Sequence, residues 1–338
     1  MVSMNKISWS NHLKKRLCFS DFILGGKISD ILSDKISSTS WSCEMYHISL
    51  DQQQDVREAM RQATQCVDDA DVLLVAAGAG MGVDAGLPDY YGGIHIAHPR
   101  LAGMGLSVYD LSNHALFEHN PALAWGHWVT RQREYMNTLP HAGYHVLHAW
   151  SKCSKRNVRV VTTNLDRHFV RADFTLDNVF EMHGSMYDAQ CMHDCGVHPW
   201  PLDIANMPSV DLNTMLLLGP PPLCIRCGGP ARVCTSLAVD GHWNTAHVEV
   251  ARMHHETFFR ELPVERVLTV LEIGCGTVMP KLRTEAARIV SEHRMRGGCA
   301  AHIRINLHQA HIEKHEDNIS LPLGALEALR TMNQLLTD

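Results

Sequence analysis

Apolar residues along this chain fall into two rhythms. Continuous aliphatic and β-branched runs occur at 72–75, 158–162, 267–273 and 301–305. Runs of this length, bounded by small polar residues, predict strands buried on both faces. Around them, apolar positions recur at helical spacing. Val56, Met60, Ala63 and Val67 do so within 51–69, and Trp125, Trp128 and Tyr135 within 113–136. Shorter helical patterns follow at 141–150, 281–294 and 324–336. Strands alternating with helices predict an α/β fold with a doubly wound parallel sheet of Rossmann-like type. In such sheets ligands bind beyond the carboxyl ends of the strands.

Those ends carry the candidate chemistry. The first strand runs into Gly78, Ala79 and Gly80, followed by Gly82, Gly86, Pro88 and Asp89. Glycines at this place allow close backbone approach to a phosphate, and the following helix start supplies partial positive charge. A nucleotide pyrophosphate site is therefore expected here. The second strand ends at Thr163, Asn164, Leu165 and Asp166, the third at Gly274, Cys275, Gly276 and Thr277, and the fourth at Asn306. His183 and Gly184 follow a shorter apolar piece at 179–182, where an exposed imidazole would serve as a base near neutral pH.

Between 185 and 245 the periodicity disappears while proline, glycine and cysteine rise. This predicts a small inserted lobe, with the sheet domain formed by 51–184 and 246–338. Cys191 and Cys195, then Cys224 and Cys227, form two close pairs that suit a closed tetrahedral zinc site. His193, His198 and Cys234 are lesser candidates for a ligand, and buried unliganded cysteines are the alternative.

With 30 Lys and Arg against 36 Asp and Glu, the net charge of −6 suggests neither a nucleic-acid nor a membrane surface. No apolar run approaches the roughly 20 residues that span a bilayer. Eleven cysteines, four of them paired this way, favour an intracellular metal site over secreted disulfides. Residues 1–50 read as a separate extension, with Lys6, Lys14, Lys15 and Arg16 before the first acidic residue, Asp21. They fit a mitochondrial-type targeting segment, an unstructured extension or an artefact of the gene model. The expected location is intracellular, cytoplasmic or mitochondrial.

In order and spacing these motifs resemble the sirtuins from about residue 55 onward. GAGMGVDAGLPDYYG is similar to that family's GAGxSxxxGIPDFRG, TTNLDRHF to its TQNIDxLH, and EMHGSM to its HGS. The cysteine pairs, IGCGTVMP, IRIN and LPLGALEAL fall in the matching places, and the phosphate loop looks closest to a divergent branch common in bacteria. The resemblance implies NAD-dependent removal of acyl groups from lysine on a protein or peptide, with NAD consumed as nicotinamide leaves the ribose. It makes His183 the general base, Asn164 the holder of the ribose and a water, and Asp166 the partner of the nicotinamide amide. Gly78, Ala79 and Gly80 would approach the pyrophosphate. Gly276, Thr277 and Asn306 would surround the adenosine half, and Pro88, Asp89, Tyr90, Thr163 and Gly274 would also bind the dinucleotide. Cys191, Cys195, Cys224 and Cys227 would hold structural zinc.

The departures are specific. The motif's serine is Gly82, its phenylalanine Tyr90, its arginine Tyr91, and the glutamine before Asn164 is Thr163. A phenol cannot replace a guanidinium's charged, bidentate contacts. The family's peptide-pairing RPxVVxFGE is here ARVCTSLAVDGHW, with Arg232 retained but Val233, Ala238 and Val239 in place of proline, phenylalanine and glycine. Three other readings follow: an ADP-ribosyltransferase or NAD glycohydrolase on the same fold, a non-enzymatic NAD-binding module, and a methyltransferase. The last rests on Glu272, Gly274 and Gly276, which look like a first S-adenosylmethionine motif but have Val278 where its last glycine belongs.

Overall fold

A computed structural model of the chain describes residues 50–89, 101 and 103–337. Tyr90, Tyr91 and nearly all of the N-terminal extension lie outside the described residues.

Helix α1 (Leu50–Asp69) buries Val56, Met60, Ala63 and Val67, the stripe its spacing predicts. Strand β1 (Val72–Ala77) is buried at every position and passes into a 3₁₀ turn (Ala79–Ala85) closed by Gly86 at φ 90°. After a short α2 (Val108–Leu111), the helical stretch expected over 113–136 is divided into α3 (His114–His119) and α4 (Pro121–Asn137). Asn113 and Asn120 set the two starts. Each caps the following helix through its side chain, and Pro121 suits a first turn rather than an interior.

Helix α5 (Ala142–Ser151) leads to β2 (Asn157–Thr162), α6 (His168–Arg171) and β3 (Val179–Glu181). The chain then builds β4 (Gly184–Cys191), β5 (Trp200–Pro201), β6 (Val210–Asp211), β7 (Leu216–Leu217) and β8 (Ala231–Thr235). It closes with α7 (Ala246–Arg260), β9 (Leu268–Ile273), α8 (Lys281–Met295), β10 (Ala300–Ile305), β11 (Asn318–Leu321) and α9 (Ala325–Thr337).

Six strands form one sheet in the order β11-β10-β9-β1-β2-β3, with every pair parallel. The chain moves outward from β1 to β2 and β3, then returns to the other side of β1 for β9. The order therefore reverses between β1 and β9, which is where ligands enter doubly wound sheets. Leu74, Ala76, Leu268 and Val270 pack on one face against Phe259 of α7 and Leu282, Ala286, Ile289 and Val290 of α8. Side chains alternate along a strand, so Thr269 points to the other face, where its hydroxyl meets the Cys66 carbonyl of α1 at 2.8 Å. Helices α5 and α9 join through Trp150 Nε1 and Asn333 Oδ1 at 3.0 Å.

The inserted segment makes a three-stranded antiparallel sheet, β5-β4-β8, and a β6–β7 hairpin. Helix α4 anchors both. Trp125 Nε1 donates to the Ala231 carbonyl at 3.2 Å and Arg133 to that of Met207 at 2.8 Å. Gly126 lies so close to the hairpin that a Cβ there would stand 1.9 Å from the Met215 carbonyl oxygen.

Candidate functional site

A cleft of about 520 Å³ opens over the carboxyl ends of β1, β2, β9 and β10. It is lined by Gly78, Ala79, Gly80, Pro88, Asp89, Thr163, Asn164, Asp166, His183, Gly274, Gly276, Thr277 and Asn306. Every described residue named for nucleotide binding or catalysis thus faces one space.

The glycines at the β1 turn have a structural reason besides the expected one. A Cβ on Gly78 would meet the Gly274 carbonyl oxygen at 2.7 Å, and one on Gly80 the Gly274 Cα at 2.7 Å. The amides of Gly78 and Gly80 donate to the carbonyls of Ile273 and Gly274 at 2.9 and 3.0 Å. These two glycines therefore bring the loops after β1 and β9 into backbone contact, and the Gly80 N–H is already used. The element that follows is a 3₁₀ turn rather than the expected helix.

Asn164 is 9% exposed; its Nδ2 donates to the Gly78 carbonyl at 2.9 Å and its amide to Thr162 Oγ1 at 3.0 Å. Thr162 in turn bonds the Ala77 carbonyl, so the ends of β1 and β2 are laced together around Asn164. Asp166, 4% exposed, accepts from the His168 amide at 2.8 Å. Burial raises its carboxyl pKa against the lowering pull of His168 and Arg171, and burial lowers the imidazoles of His168 and His141. Gly82, where the motif has serine, leaves a Cβ position 3.6 Å from Asp166 Oδ2.

His183 is half-buried between β3 and β4. Burial, helped by the charge of Lys281, pulls its pKa down to about 4, against a hydrogen bond at the Thr163 backbone. The expected base titrating near neutrality is thus a neutral imidazole throughout that range. Its carbonyl accepts from the Ser236 amide at 2.8 Å and Thr235 Oγ1 at 2.5 Å, and Gly184 beyond it adopts φ 75°.

Sequence reasoning missed the α4 wall of the cleft. Trp128, Arg131 and Tyr135 line it, with Arg131 Nη2 donating to Tyr135 Oη at 2.6 Å. The signal was present: a cation and a phenol at i and i+4 on the apolar face of a helix. Ser112, Leu237 and Ala238 line the cleft as well. Arg232, retained from the motif, is fully buried and holds both Asp240 oxygens, at 3.0 and 2.8 Å.

The sulfurs of Cys191, Cys195, Cys224 and Cys227 all lie within 4.8 Å of one another. The Cys191–Cys227 and Cys195–Cys224 pairs are 3.6 Å apart. A zinc ion with sulfurs about 2.3 Å away has tetrahedral edges near 3.8 Å, so the donor set fits that metal. Backbone amides of His193, Arg226 and Gly229 point at three of the sulfurs, at 3.3 to 3.4 Å, in the manner of metal knuckles. Cys234 stands apart on β8, its thiol facing the Asn244 carbonyl.

The Sir2 family model matches residues 78–232, from the glycine turn after β1 through the cysteine quartet. This stretch of the chain is similar to the Sir2 family. Among Sir2-related proteins, an NAD-dependent protein deacylase 2 of Pseudomonas aeruginosa is 26% identical over 53% of this chain and 64% of its own length. A probable bifunctional ADP-ribose hydrolase/ADP-ribosyltransferase of Fusarium oxysporum f. sp. cubense is 28% identical over 64% of this chain and 38% of its own. An NAD-dependent protein deacylase of Corynebacterium glutamicum is 24% identical over 70% and 91%. The chain spans less than two thirds of the first two relatives. A solved Sir2 homolog–NAD complex shares the fold with a TM-score of 0.56 at 20% identity, covering 82% of this chain and 93% of that one.

Proposed function

We propose that this chain is an NAD-dependent protein-lysine deacylase. The observation that carries the reading is the meeting of His183, Asn164 and Asp166 with the β1 and β9 glycine loops in one cleft at the strand reversal. Gly78, Ala79 and Gly80 border the pyrophosphate, Gly276, Thr277 and Asn306 the adenosine, and Asp166 the nicotinamide amide. The acyl oxygen attacks ribose C1′ as nicotinamide departs, while oriented dipoles lining the cleft favour the charge that develops on the ribose. Neutral His183 accepts a ribose hydroxyl proton, and Asn164, held by the Gly78 carbonyl, orients the ribose and a water. Zinc held by the four cysteines would have a structural role, tying β4 to the loop before β8. Relatives named as NAD-dependent protein deacylases support the reading and the choice of an acylated protein or peptide as partner. Among the described residues no helix is long and apolar enough to cross a membrane.

One observation favours ADP-ribosyl transfer or NAD hydrolysis as a second reading. The backbone of Ala238 and Val239, beside the cleft, is already hydrogen-bonded to Ser112 and His114 of the same chain. The Fusarium relative's name includes an ADP-ribosyltransferase. Incubation with NAD, with and without acylated peptides, followed by mass spectrometry of all products, separates the two. Nicotinamide release that requires acyl peptide supports deacylation, and release independent of it supports the second reading.

A further inference from the structure

The VLEIGCGT stretch that imitates a methyltransferase motif holds an unusual buried charge. Glu272, on central strand β9, is 0% exposed. Its Oε1 accepts from Arg304 Nε at 2.7 Å, and its Oε2 from Arg304 Nη2 at 2.9 Å and His302 Nε2 at 3.0 Å. Arg283, in the first turn of α8, adds a third partner with Nε 3.5 Å from Oε1. Burial is the largest single influence on the Glu272 carboxyl and raises its pKa, but the hydrogen bonds and charges of His302 and Arg304 together hold it below its usual range. Such a cluster is poor value as fold stabilisation, because well-packed apolar residues of similar volume commonly do as well or better. The rest of this face of β9 is aliphatic. The charges stand only where the strand meets the cleft.

Their outer side grips two loops. Arg283 donates to the Cys275 carbonyl through Nε at 2.9 Å and Nη2 at 2.6 Å, and to the Gln309 carbonyl through Nη2 at 2.7 Å. Asn306 Nδ2 reaches the same Cys275 carbonyl at 3.0 Å, while its Oδ1 accepts from the amides of His308 and Gln309. Gln309 Oε1 completes the lattice by accepting from the Thr277 amide at 2.8 Å. Residues 274–277 and 306–309 are thereby fixed to each other by the chain's own hydrogen bonds.

We propose that Arg283, anchored by the buried Glu272 carboxylate, is a positioning residue that preorganises the adenosine half of the cleft for the ADP-ribose part of NAD. The proposal rests on the NAD-binding reading above, although Arg283 itself does not line the cleft. Fixing loops in advance removes an ordering cost from binding. The loss should therefore fall on affinity rather than on the bond-breaking step.

The test is calorimetric titration of the purified protein and its Arg283→Met variant with ADP-ribose, alongside steady-state nicotinamide release. The proposal expects the ADP-ribose Kd to rise about tenfold or more, equivalent to roughly 1.4 kcal/mol. The KM for NAD rises in parallel, and kcat at saturation stays within about twofold, as befits uniform binding. Arg283→Lys should fall between, since an ammonium cannot span both carbonyls. Arg288→Met, on the same helix but paired with half-buried Glu285 and exposed Glu292 away from the cleft loops, should match the parent. If Arg283→Met fails to fold, Glu272→Gln must show the same affinity loss. An unchanged Kd in a folded variant, or kcat falling together with affinity, overturns the proposal alone. A parent protein that binds neither NAD nor ADP-ribose overturns the NAD reading and this inference with it.

Discussion

Gly80 and Gly274 touch backbone to backbone: a Cβ added to Gly80 would stand 2.7 Å from the Gly274 Cα, and one added to Gly274 only 2.2 Å from the Met81 nitrogen. Gly274 also sits at φ 63°, where side chains are strained whatever the space. Gly274→Ala should therefore lose on the order of 2–4 kcal/mol and NAD binding together, by thermal melting and calorimetry. Gly276 differs. Its Cβ position is open, with only Gln309 Oε1 at 3.7 Å. Gly276→Ala should melt like the parent, so any loss of NAD affinity there reports a ligand against that backbone.

His183 gives a pH prediction of definite sign. With a pKa near 4, its imidazole stays uncharged from mild acid to mild base. The kcat/KM profile of the free enzyme should then show no His183 limb between about pH 5 and 8. Lys281→Ala removes one of the two lowering causes, so the His183 resonance should titrate at higher pH in that variant. His183→Ala should cost about 10² to 10⁴ in deacylation while the fold persists, and full activity in that variant would remove the residue from its role.

Glu181, at the end of β3, behaves in the opposite way. Burial raises its pKa to about 7, with Asp166 and Asp188 adding to the rise and Arg167 opposing it. A carboxyl that ionises more readily unfolded than folded withdraws stability as pH climbs. The loss begins near the ordinary value of 4.5 and is complete above 7. Glu181→Gln abolishes that loss, so its Tm relative to the parent should be higher at pH 8 than at pH 5. An equal offset at both values would contradict the raised pKa.

The parts of this architecture written in contiguous residues were legible. Four parallel strands announced themselves as apolar runs, and their turns supplied the cleft residues, because ligand loops in this topology follow strand ends. Features that depend on pairing across the chain were not legible. Strand β11 has only Ile319 and Leu321 buried, too little pattern to read. Glu272 was hidden inside an apolar run, since its partners Arg283 and Arg304 lie on other elements. Arg131 and Tyr135 reach the cleft from a helix rather than a strand end, and the His183 pKa depends on packing that no short motif encodes.

The cysteine quartet predicts a metal-dependent lobe. Purified protein should contain one zinc per chain, and Cys224→Ser should lose most of it. Structural zinc contributes folding free energy directly, so chelation should destabilise this segment by several kcal/mol, to order of magnitude. Trp125 reports on it, because its indole bonds the Ala231 carbonyl of β8. Its emission should shift to the red on chelation. Zinc-free protein with unchanged fluorescence and Tm would refute a structural metal.

The last prediction concerns how an acyl-lysine reaches the cleft. Peptides bound as an added strand need unpaired backbone groups along the wall. Here the Ala238 amide donates to Ser112 Oγ at 3.1 Å, the Val239 amide to the Ser112 carbonyl at 3.1 Å, and the Val239 carbonyl accepts from His114 at 3.1 Å. The chain has thus used most of this edge on itself. A substrate entering beside it gains little from its flanking backbone, and recognition falls on the modified side chain. Across acyl-lysine peptides of varied flanks, kcat/KM should change by no more than about threefold, well under 1 kcal/mol. Strong flank dependence would require residues 112–114 to detach. In that case the Val239 amide should change its hydrogen-exchange protection when peptide binds. Unchanged protection with flat specificity leaves the self-paired edge in place.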